Sequence, residues 1–150
     1  SFVSPEHSDA ARHIAEQGIV LLKNENQLLP IQVGKYKKIA VIGENATRSL
    51  TIGGGSSSLK VNYEVSPLQA FIKKYGTDHI LYSKGYASGK SEYGRESASK
   101  LNVDSLFPAA VEAAKNADIV VFVGGLNKNH LQDCEGGIVS QWICHLARIS

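Results

Sequence analysis

Residues 108–125 read PAAVEAAKNADIVVFVGG, and this stretch decides the fold. Its first half, Pro108 to Asn116, carries Ala109, Ala110, Val111, Ala113 and Ala114, small side chains that let a helix lie close on a sheet. Asp104 and Ser105 stand just before it. The second half, Asp118 to Gly125, is an apolar run closed by two glycines. That is the pattern of a strand buried on both faces. A helix feeding directly into such a strand is half of a βαβ unit.

The same grammar recurs upstream. Lys35 to Lys38 form a short basic flank before Ile39-Ala40-Val41-Ile42-Gly43, which reads as a buried parallel strand. Ser66-Pro67 caps and starts a helix through Leu68, Ala70, Phe71 and Ile72, closed by Gly76, and Ile80-Leu81-Tyr82 is a second short strand. Strand, helix, strand, helix, strand predicts an α/β fold: a partial doubly wound, mostly parallel sheet flanked by helices. Further upstream, Ser4-Pro5-Glu6 starts a helix, with Ala11, Ile14, Ala15 and Ile19 at helical spacing. Ile19 to Leu22 either continue that helix or turn extended. Asn24-Glu25-Asn26 is a turn, and Leu28 to Ile31 an extended segment, since Pro30 disfavours helix at Leu29. Gly85 to Lys100 reads as a loop or insertion.

Composition excludes several function classes. The 16 Lys and Arg are scattered and matched by 14 Asp and Glu, leaving a net charge of +2 and no basic stripe for nucleic acid. No apolar run approaches the ~18–20 residues of a membrane span. The first residues show no signal peptide, and with no Met at the start the sequence reads as beginning inside a longer frame or as processed. Two cysteines make no disulfide scaffold, and the five histidines show no zinc spacing, so no metal is expected.

In doubly wound sheets, ligands gather outside the carboxyl ends of the strands. Here those ends are Gly43-Glu44-Asn45 and Gly124-Gly125 onward. Two loops near them carry candidate chemistry. Gly53 to Ser58 is rich in glycine and serine but lacks a phosphate-loop pattern, and by composition it reads first as a flexible surface loop. Asn127 to Gly137 offers His130, Asp133, Cys134 and Glu135. A Cys134–His130 nucleophile pair has nothing local to fix its geometry. A carboxyl on a glycine-flanked loop suits proton transfer better, although composition alone ranks an ordinary solvated loop first. Asn45-Ala46-Thr47 is a formal glycosylation sequon.

Taken in order, several segments resemble the C-terminal α/β sandwich domain of glycoside hydrolase family 3, the β-glucosidase and β-xylosidase family. SPEHSDAARHIAEQGIVLLKNENQLLPI looks like the passage from that family's barrel into its sandwich. KKIAVIGENA is similar to the first sandwich strand, and GGGSSS with VSPLQAFIKKYG to the following loop and helix. AVEAAKNADIVVFVGGLN resembles the helix and strand before the catalytic loop, and CEGG stands where members carry EGxDR. The resemblance covers residues 3 to 137. It implies retaining hydrolysis of a β-linked glucoside or xyloside, no cofactor, and a nucleophilic aspartate on a preceding barrel that is absent here. It further implies that Glu135 is the general acid/base, and that Gly54, Gly55 and Ser56 help shape the sugar site. Secreted or periplasmic relatives are the analogy for location.

On this reading residues 1–34 are the interdomain helix and linker, 35–137 a partial sandwich, and 138–150 an atypical tail. Where the family continues with Asp-Arg, this chain reads IVSQWICHLARIS. A one-base frameshift near Gly137 accounts for the change, because permitted codons for Ile138 to Ser150 give DRLTVDLPLGKNQ in the neighbouring frame. The rival is a native C-terminal helix with Trp142 and Leu146 on one face. Either way the sheet is expected to expose an unpaired edge and apolar faces. The fragment is expected to be inactive alone. Other readings are a non-catalytic carbohydrate-binding or regulatory module, with the two loops as a binding rim, and a nucleotide-binding domain, which the missing phosphate motifs oppose.

Overall fold

The computed structural model describes residues 4–48, 61–87, 103–125 and 142–148. The chain divides into two compact units, Ser1–Pro30 and Ile31–Ser150. In the first, helix α1 (Pro5–Gly18) starts as its sequence dictates: the Ser4 side chain accepts a hydrogen bond from the His7 N–H, and Pro5 opens the helix. It ends at Gly18, and Ile19 is already extended. The run Ile19 to Leu22 therefore does not continue the helix. α1 buries no residue, and Ile14 is 74% exposed. So short a unit has no second layer against which to bury that stripe. The Asn24 side chain closes the next turn, accepting from the Leu29 N–H at 2.9 Å and donating to the Leu29 carbonyl at 3.1 Å.

The second unit is built on a four-stranded sheet in the order β2-β1-β3-β4. Strands β1 (Ile39–Ile42), β2 (Ile80–Ser83) and β3 (Ile119–Gly125) are parallel, and β4 (Trp142–Arg148) runs antiparallel to β3. Helix α2 (Pro67–Tyr75) joins β1 to β2, and α3 (Val103–Lys115) joins β2 to β3. Because β2 and β3 lie on opposite sides of β1, right-handed crossovers put the two helices on opposite faces. α3 lies on the face where Ala40, Ile42, Ala110 and Ala117 cluster with Leu81, Ala114 and Val120. On the other face Ile39, Val41, Ile119 and Val121 are fully buried. Each such side chain contributes about 1.5–3 kcal/mol on leaving water. α2 carries a full capping box, Ser66 and Gln69 each bonding the other's backbone N–H, and stops at Gly76 with φ 91°.

At the amino ends of the strands, Asp118 takes the place of a missing ladder rung. Its Oδ2 accepts from the N–H of Lys37 and Lys38 at 2.8 and 2.9 Å, while its own N–H donates to the Lys38 carbonyl. These bonds hold the Asp118 carboxyl below the usual carboxylate range. The basic flank before β1 thus sets the register of β1 against β3.

Two expectations are corrected. α3 begins at Val103 rather than at Pro108, so the proline lies inside it. Only the bond to the Asp104 carbonyl is forfeited, close to an end where N–H groups go unpaired anyway. The tail is a strand, not a helix. Residues 142–148 pair with β3 from Gly125↔Trp142 to Ile119↔Arg148, so the outer edge of β3 is covered. An open row of backbone donors and acceptors decides a short apolar segment that periodicity alone leaves ambiguous.

Candidate functional site

β1 has a parallel neighbour on each side, so its carboxyl end is the point where the winding of the sheet reverses. The chain turns there at Gly43, whose N–H continues the ladder to the Ser83 carbonyl at 3.0 Å. Gly43 has φ 136°, and any Cβ at this position would land on the Val123 carbonyl oxygen. Only glycine fits. A single tight turn, Glu44–Thr47, comes next, with Glu44, Asn45 and Ala46 all buried.

The polar groups of this turn face the ends of the neighbouring strands. Glu44 Oε1 lies 3.0 Å from Lys84 Nζ, just past β2, and 3.3 Å from Arg48 Nη2. Asn45 Nδ2 donates to the Gly125 carbonyl at 2.9 Å, tying the end of β1 to the end of β3. The Tyr86 hydroxyl lies between them, accepting from the Asn45 N–H at 3.3 Å and donating to the Val123 carbonyl at 2.8 Å. Burial raises the Tyr86 phenol above its ordinary range, and burial likewise raises Tyr82. Tyr86 therefore keeps the proton it donates at neutral pH. Gly85, at φ 67°, passes so close to β1 that a Cβ would come within 2.8 Å of Ile42 Cγ2.

This arrangement braces strand ends. Asn45, directly after the carboxyl end of β1 where a doubly wound sheet commonly takes its ligand, is itself 0% exposed. The same burial takes the Asn45 amide of the sequon out of reach of a glycosylating enzyme in the folded chain. Among the described residues no group of three His, Cys, Asp or Glu is placed to hold a metal, and no helix is long and apolar enough to cross a membrane.

The structure brings together the two strand ends singled out in the sequence, Gly43-Glu44-Asn45 and Gly124-Gly125. Lys84, Arg48 and Tyr86 were not legible as their partners; the signal was only a carboxylate and an amide directly after an apolar strand. Glu135, Gly54, Gly55 and Ser56, with His130 and Cys134, lie outside the described residues.

Residues 19–139 match the family described as glycosyl hydrolase family 3 C-terminal domain. The chain belongs to this family. It is 52% identical over 143 residues to a protein named β-glucosidase BoGH3A from Bacteroides ovatus, covering 91% of this chain and 19% of that protein. It is 37% identical over 138 residues to a β-xylosidase from Formosa agariphila, covering 88% and 17%. Among solved structures, a family 3 exo-β-xylosidase (XlnD) in complex with a xylobiose aziridine activity-based probe superposes with a TM-score of 0.58 at 28% identity, covering 89% and 17%. The chain thus spans about a fifth or less of the length of these relatives. The family match stops at residue 139, so most of the tail after Gly137 falls outside it.

Proposed function

We propose that this chain supplies the sandwich side of the active site of a retaining β-glycosidase, with Glu135 as its general acid/base. The observation that carries the reading is the family match over residues 19–139, a range that extends past β3 and spans position 135. The substrate is a β-linked glucoside or xyloside, in keeping with relatives named β-glucosidase and β-xylosidase. The Glu135 carboxyl gives its proton to the glycosidic oxygen while a second carboxylate, on the barrel domain that the family resemblance implies, attacks the anomeric carbon. The Glu135 carboxylate then takes a proton from the water that releases the sugar. Retention needs the two carboxyls about 5–5.5 Å apart. Gly54, Gly55 and Ser56 lend the rim of the sugar site, and residues 138–150 are the product of a frameshift.

The test has two parts. The purified chain is expected to leave a nitrophenyl β-glucoside intact, and clear turnover lost in Glu135→Gln would overturn the claim that it is inactive alone. In the complete gene product, Glu135→Gln should lower kcat/KM on a phenyl β-glycoside by about 10²–10⁴. A dinitrophenyl glycoside should be largely spared, because its leaving group departs without a proton. Equal loss on both substrates would remove Glu135 from the role.

A further inference from the structure

We propose that the α3-side face of β3, carried by Val120 and Phe122, is the docking surface for a helix that continues the domain after β3. The occupant is an amphipathic helix of the complete gene product, joining β3 to a further parallel strand. This rests on the frameshift reading of residues 138–150 and is independent of the role of Glu135.

The direction of winding decides the face. Helix α2 takes the chain from β1 out to β2, and α3 takes it back across β1 to β3. A further parallel strand beside β3 continues in the direction that α3 took. A right-handed crossover in that direction lays its helix on the same face as α3, over β3.

That is where the sheet is bare. α3 packs mainly on β2 and β1. Val120 and Phe122 alternate onto the α3 face: Val120 packs against the cluster beneath α3, and Phe122 is in register with Ile42 of that cluster. Yet Phe122 is 39% exposed, whereas Ile119, Val121 and Val123 on the opposite face are at most 3% exposed. The Phe122 ring lies along the sheet, so that a Cβ on Gly124 would come within 2.6 Å of its Cε1. The Tyr86 ring flanks it, tilted by 51° with centroids 6.0 Å apart. Parallel strands are ordinarily covered on both faces, and this one is covered on one. Strand β4 does not replace the missing layer. It lies wholly beyond the family match over residues 19–139 and runs antiparallel to β3. The relatives are long enough to hold the helix, since this chain spans 19% and 17% of two of them.

Hydroxyl-radical footprinting, read by mass spectrometry, reports the exposure of Phe122 without altering it. Phe122 should oxidise readily in this chain. In the complete gene product, read in the frame that continues past Gly137, it should oxidise about tenfold more slowly, because a close-packed core excludes the radical with the water. Benzoylphenylalanine in place of Phe122 then identifies the cover, and photo-crosslinks to a helical segment following position 137 are expected. Equal oxidation in the two proteins overturns the proposal. So do crosslinks to residues preceding Ser1 or to a second copy. Protection of Phe122 in this chain by an added β-glucoside would make the ring a sugar platform and overturn it as well. If the DNA gives no continuation of the family after Gly137 in any frame, the frameshift reading falls and this proposal with it. If the continuation is there and Phe122 stays exposed, this proposal alone falls.

Discussion

Lys84 Nζ lies 3.0 Å from Glu44 Oε1, joining the residue just past β2 to the turn just past β1. Arg48 reaches the same oxygen, and the three side chains are only 23%, 7% and 15% exposed in the order Lys84, Glu44, Arg48. Glu44→Gln would remove the buried carboxylate charge that both Lys84 and Arg48 approach. Destabilisation of about 3 kcal/mol is expected, read from chemical denaturation of the chain. Lys84→Met should cost less, because Arg48 stays paired. The reverse order would show that the ion pairs are not what holds this corner.

Gly43→Ala tests the close approach of β1 and β3. The substitution meets both a positive φ and the Val123 carbonyl. Strain alone is on the order of 1–3 kcal/mol, and the clash adds to it. Loss of a cooperative melting transition or a fall of this size is expected. A neutral effect would mean that the two strand ends are not in such close contact.

Asp118 gives a pH signature. Its folded carboxyl titrates below the ordinary range because it accepts the N–H groups of Lys38 and Lys37. A depressed folded value contributes stability above the unfolded pKa, near 3.9, that is lost as pH falls through the folded one. Asp118→Asn should therefore be less stable than the parent near neutrality. The gap should narrow as pH falls below about 4. A gap that is constant with pH would assign the effect to shape alone.

Once the chain has folded, the sequon at Asn45-Ala46-Thr47 should not accept a glycan, because the Asn45 amide is buried against the Gly125 carbonyl. Mass spectrometry of the folded, unglycosylated protein after incubation with an oligosaccharyltransferase and its glycan donor checks this. Full occupancy at Asn45 without loss of the fold would contradict the packing of the turn.

Truncation after Gln141 removes β4 and uncovers β3 along the register from Ile119 to Gly125. An exposed edge of apolar, β-branched residues pairs readily with other chains. Concentration-dependent association should appear in light scattering of the truncated protein and be weaker in the parent. Equal behaviour would mean that the tail does not protect that edge.

The three parallel strands and the cap of α2 were plain in the sequence, because an unbroken apolar run, a Ser-Pro start and a Gly stop are local signals. The start of α3 was not: Pro108 looked like a first residue, and a proline placed beyond the first turn gives no local sign that the helix precedes it. The tail failed for another reason. Trp142, Ile143 and Leu146 suit either a helix face or a strand, and only the free edge of β3 chooses.

The candidate site divides along the same line. The sequence by itself determined that an acid and an amide follow the first apolar strand, that paired glycines end the last parallel one, and that a glycine-flanked carboxyl, Glu135, stands beyond them. Only the tertiary structure decided that β1 lies between β2 and β3, and hence that Glu44 meets Lys84 while Asn45 meets Gly125, 80 positions away. Strands declare themselves through the residues they contain. Their order depends on crossovers and long-range hydrogen bonds, which no short stretch encodes.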